Sequence, residues 1–73
     1  MKLDGPRVKR LREDKGWSQT KLGSKCRPRV SVVTICKAEA GNDVYPDTAA
    51  RICAALEIAI EEVRLPVEGD DAA

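Results

Sequence analysis

The chain has 73 residues, enough for one small domain and no second one. It carries 13 Lys and Arg against 12 Asp and Glu, no histidine, one Trp, one Tyr and no Phe. His-based acid–base catalysis and His-ligated metal sites are therefore excluded, and the core must be aliphatic and modest, needing well-packed helices or a partner subunit. The net charge of +1 hides a division along the chain. Residues 1–37 hold eleven basic and three acidic side chains, a net +8, whereas residues 38–73 hold two basic and nine acidic ones, a net −7. Such asymmetry points to one half facing a polyanion and another half with different work.

The longest apolar run is far short of a membrane span and the N-terminus has no signal-peptide core, so a cytoplasmic location is expected. Cys26, Cys36 and Cys53 are odd in number and show no zinc or redox spacing. They read as reduced, small core residues, with no metal and no cofactor.

In chain order, Gly5-Pro6 permits a turn into a first helix over roughly 6–15, with Val8 and Leu11 inward and Gly16 as its stop. Ser18 is an N-cap for a short second helix to Lys25, with Leu22 inward. Gly23 inside that helix marks a close helix–helix approach. Pro28 ends the element, and Ser31 caps a third helix that runs to about Ala40 and stops at Gly41. A turn over Asn42–Tyr45 leads to a fourth helix from Pro46 or Asp47, with Ile52 and Leu56 on its inner face. Ile60–Leu65 suggests a short fifth helix closed by Pro66. The expectation is an all-α, compact four- to five-helix bundle: an N-terminal arm over 1–5, a domain over 6–65, and an acidic disordered tail over 66–73.

Two short helices joined by a tight basic turn, placed in the positive half, have the layout of a helix-turn-helix, whose second member enters the major groove. The ordered set Val8-Lys9-Arg10-Leu11-Arg12, Gly16-Trp17-Ser18-Gln19-Thr20-Lys21-Leu22, Val30-Ser31, Ile35, Glu39-Ala40-Gly41 and Leu56 resembles the phage-repressor-like (lambda repressor-type) DNA-binding domains over about residues 6–65. The resemblance implies that Gln19 holds a phosphate at the start of the second helix; simple capping is the other reading. It also implies a structural ion pair between Arg12 and Glu39, against which stand two solvated charges. Two departures from the pattern are visible. The Cys26–Ser31 link is about two residues longer than the usual turn, which bears on the angle of the third helix. Glu57 stands where Gly usually closes the fourth helix.

On the third helix, Ile35 and Ala38 face the core and Val30 seals its start, leaving Val32, Val33, Cys36 and Lys37 outward as candidate base contacts. Val32 and Val33 suit thymine methyls, and Lys37 suits guanine O6 and N7. A rotated helix, with Val32, Ile35 and Cys36 in the core, fits the periodicity as well. Lys21, Arg27 and Arg29, with Gln19, are candidate phosphate contacts; solvated charges without a ligand are the alternative. Lys2, Arg7, Lys9 and Arg10 serve either the DNA backbone or solubility. Ile58, Ile60, Val63 and Leu65 supply apolar surface for a possible homodimer through the C-terminal helices, or else close the monomer core.

The function expected is sequence-specific binding of double-stranded DNA, as a transcriptional regulator or its DNA-binding domain, with no catalysis. The rival is a protein-interaction module, an antitoxin or adaptor, that docks through Val32 and Val33.

Overall fold

Asp4 opens the first helix. In the computed structural model, which describes residues 1–66, its carboxylate accepts the Arg7 N–H at 3.3 Å, and α1 (Gly5–Asp14) follows with Pro6 in its first turn. Val8 and Arg12 are buried on its inner face, and Gly16 leaves the helix with φ +73°. Ser18 then caps α2 (Gln19–Lys25), its hydroxyl accepting the Lys21 N–H at 3.0 Å. Ser31 caps α3 (Val32–Glu39) in the same way through the Thr34 N–H at 3.3 Å. Gly41, at φ +85°, ends it. The capping signals that the sequence carries for α2 and α3 are local chemistry, and they act where they stand.

α4 (Pro46–Leu56) buries Ala49, Ile52, Cys53 and Leu56. It does not run on past Leu56. Glu57 takes the left-handed conformation, φ 61° and ψ 42°, that glycine adopts without steric cost.

No fifth α-helix forms over 60–65. A single 3-10 turn spans Ile60–Glu62, and the chain then extends to pair with its own beginning. The Asp4 N–H donates to the Val63 carbonyl at 2.7 Å and the Leu65 N–H to the Lys2 carbonyl at 3.0 Å, with an antiparallel bridge between Leu3 and Arg64. Six residues are too few to sustain a helix alone, whereas extension lets them satisfy the backbone of residues 2–4 and cover Leu3. The N-terminal segment is further held by the Val44 N–H, which donates to the Met1 carbonyl at 2.8 Å.

Among the described residues the protein is therefore all-α, with four helices and no strand, around a core in which Leu3, Leu22, Ile35 and Ile52 are fully buried. The surplus apolar surface that pointed to a dimer is mostly absorbed here. Val63 is sealed, Ile58 and Ile60 pack half-buried on the core, and Leu65 alone of the four is exposed, at 38%. The acidic tail expected over 66–73 lies, apart from Pro66, outside the described residues.

Candidate nucleic-acid interface

α3 turns Ile35 and Ala38 fully into the core, with Val30 buried just ahead of the helix. A 3.6-residue period then forces the opposite side outward. Val32 is 40% exposed and Val33 60%, and Cys36 and Lys37 are exposed beside them. The rotated arrangement, with Val32 and Cys36 inside, is not the one adopted.

The surroundings of this face are cationic. From Lys15 to Ala38 the sequence contains no carboxylate. Lys21, Arg27, Arg29 and Lys37 are all exposed, and among the described residues none of them forms an ion pair. The acidic half of the chain is treated differently. Asp47 pairs with Arg51, Glu57 with Lys15 and Glu62 with Arg7. Exposed pairs of this kind add little stability, but they neutralise each other locally. Around α2 and α3 the positive charge is left without such partners. Trp17, between α1 and α2, carries the ammonium groups of Lys15 and Lys25 at 5.3 and 5.8 Å from its ring centre.

At the C-terminal end of the same stripe of α3 that carries Val32 and Cys36 lies a hydrogen-bonded charge network. Arg12 is buried, and its guanidinium meets Glu39 as a fork: Nε donates to Oε2 at 2.7 Å and Nη2 to Oε1 at 3.1 Å. Nη1 donates to the Trp17 carbonyl at 2.7 Å. The bond to Glu39 raises the guanidinium pKa above its already high value, against the opposing effect of burial. α1, the α1–α2 connection and the end of α3 are thereby tied at one point. Gly5 tightens the same junction, because a methyl group there would overlap the Glu39 carbonyl.

Gln19 joins this network. Its side-chain amide donates to Glu39 Oε1 at 3.1 Å, and its carbonyl oxygen accepts the Cys36 thiol at 3.0 Å. One amide N–H and the carbonyl oxygen of Gln19 are thus engaged with protein partners, and the side chain braces α2 against α3. Among the described residues no buried side-chain nitrogen or oxygen lacks a partner, so the network is closed.

The cysteines divide by position. Cys26 and Cys53 are buried, and burial pushes both thiols up; nearby Glu62 and Glu61 add to this at Cys53, and Arg51 opposes it at Cys26. Cys36 is free and exposed, outside the core role expected of it. Among the described residues no cluster of three or more His, Cys, Asp or Glu side chains is placed to hold a metal, and no helix is long and apolar enough to cross a membrane. No family model, no curated protein and no solved structure matches the chain.

Asp4, Gly5 and the Trp17 carbonyl are contributors that sequence reasoning passed over. Asp4, one residue ahead of Gly5-Pro6, carried a usable cap signal. The other two act through the backbone and leave no side-chain trace.

Proposed function

We propose that the chain is a sequence-specific double-stranded DNA-binding domain, acting as a transcriptional regulator or as the reading part of one, with α2 and α3 as its helix-turn-helix in the phage-repressor-like manner. The observation that carries this reading is the free face of α3. Val32, Val33, Cys36 and Lys37 are exposed together amid unpaired cations, while the Arg12–Glu39–Gln19 network fixes the end of the helix. A helix with a mixed apolar and cationic face, on a sequence segment free of carboxylates, suits a major groove.

The mechanism is occupancy, and no bond is made or broken. Lys21, Arg27 and Arg29 neutralise phosphates and set the register of the protein on the duplex. Val32 and Val33 read thymine methyls, Cys36 lies against the base edges between them, and Lys37 donates to guanine O6 and N7. Asp47, Glu57 and Glu62, each paired with a cation, add less repulsion of the duplex than free carboxylates would.

Site selection from a random duplex pool, followed by titration at several salt concentrations, tests the proposal. Lys37→Ala should relax discrimination at one base pair by about 1–3 kcal/mol, whereas Lys21→Ala should weaken all sequences alike and lower the salt slope by about one. The 60% exposure of Val33 favours a second reading, docking of another protein. Absence of salt-dependent binding to any duplex would leave that reading and remove the first.

A further inference from the structure

Between the starts of α2 and α3 lies an open cleft of about 360 Å³, lined by Thr20, Arg29, Val30, Ser31 and Val32. Three of the five belong to the link over residues 26–31, and that link is not slack. Cys26 and Val30 are buried, the Cys26 thiol donates to the Leu22 carbonyl at 3.4 Å, and the Val30 N–H donates to the Gly23 carbonyl at 3.1 Å. Gly23 lacks the methyl group that would overlap the Val30 carbonyl. Arg29 therefore leaves the backbone next to an anchored residue, while its guanidinium is exposed and has no ion pair among the described residues. Arg27 shares the link and the charge but does not line the cleft.

The polar groups in the lining are donors without a carboxylate. Thr20 is exposed and brings a hydroxyl. The Ser31 hydroxyl accepts the Thr34 N–H and lies 3.0 Å from the Thr34 hydroxyl. With Thr34 as donor in that contact, the Ser31 O–H is available to the cleft. A planar cationic fork beside two hydroxyls matches a tetrahedral oxyanion.

We propose that this cleft seats one phosphodiester of the duplex, held by Arg29 with Thr20 and Ser31, so that the long α2–α3 link is itself a recognition element. The inference rests on the DNA reading above and adds to it a division between two arginines of equal charge: Arg29 makes a seated contact and Arg27 a diffuse one.

Titrating a mixed-sequence duplex against the full chain and four variants tests it. Arg27→Ala and Arg29→Ala should each lower the salt slope by about one, because each removes one phosphate-neutralising charge. Arg29→Ala should in addition lose about tenfold more affinity than Arg27→Ala, as expected for a charge-assisted bond in a formed site. Arg29→Lys should keep the slope and lose affinity, since an ammonium cannot reproduce the fork. Thr20→Val, on an exposed position that leaves the fold intact, should weaken binding roughly two- to tenfold with the slope unchanged. Equal losses for the two alanine variants, with no effect of Thr20→Val, overturn the cleft while DNA binding stands. Failure of the unmodified chain to bind any duplex at low salt overturns the DNA reading and the cleft with it.

Discussion

Arg12 and Glu39 face each other with side chains only 9% and 6% exposed, so neither charge has water to return to if its partner is removed. Breaking such a pair costs about 3–5 kcal/mol, against a total of roughly 4–11 kcal/mol for a domain of this length. Arg12→Met and Glu39→Leu should each cause a loss of that order in urea denaturation. The double variant should lose clearly less than the sum, because it leaves no buried charge unpaired; strict additivity would show that the two are not coupled. Glu57 is the opposite case, a residue that costs stability where it stands. Its φ of 61° places a side chain in a conformation that is steep for anything but glycine, and its bond to Lys15 at 3.3 Å is exposed and weak. Glu57→Gly should raise stability by about 0.5–1 kcal/mol, and the melting temperature by roughly 2–8 °C in a calorimetric scan. An unchanged or lower melting temperature would contradict the strain.

At the scale of elements, the α2–α3 junction depends on one missing methyl group. Gly→Ala inside a helix ordinarily stabilises by about 1 kcal/mol, yet at Gly23 the added carbon would meet the Val30 carbonyl. The sign should invert: Gly23→Ala should destabilise by about 1–3 kcal/mol in a thermal melt followed by circular dichroism, and a stabilised variant would mean that Val30 yields freely. Gly23 was legible as a close-approach site, although what approaches is the link's backbone and not a second helix. The same distinction governs the rest. Gly16 sets the end of α1, Ser18 the start of α2, and Ser31 and Gly41 the ends of α3, through bonds within a few residues, and such bonds are written in the local sequence. The outward set on α3 follows once Ile35 and Ala38 are inside. Residues 60–65 carry a helical pattern yet form only one 3-10 turn, because the conformation of the rest is decided by residues 2–4, at the other end of the chain. The commitment of Gln19 to Glu39 and Cys36 is equally non-local, and no spacing rule relates positions 19, 36 and 39. The proximity of Arg12 to Glu39 came only from a family resemblance, for the same reason.

The whole molecule has three free cysteines, no disulfide among them, and a small aliphatic core. What closes it is the stitching of its two ends. Leu3 is completely buried beside Val63, and the flanking backbone exchanges bonds with Val44, Val63 and Leu65. A single side chain near the start of the chain therefore supports the seam on which residues 63–65 rest. Leu3→Ala removes that support at a cost of about 2–5 kcal/mol, a large share of the total available. For a domain of this size the melting temperature should fall by more than about 8 °C. Trp17, in the α1–α2 connection, gives an independent view of the same event. If the fold is one cooperative unit, Trp17 fluorescence and far-ultraviolet circular dichroism should shift by the same amount in Leu3→Ala, because loosening the seam lowers the stability of everything packed on it. A dichroism transition that moves while the Trp17 transition stays would show that the end-to-end seam and the Arg12–Trp17 region unfold separately.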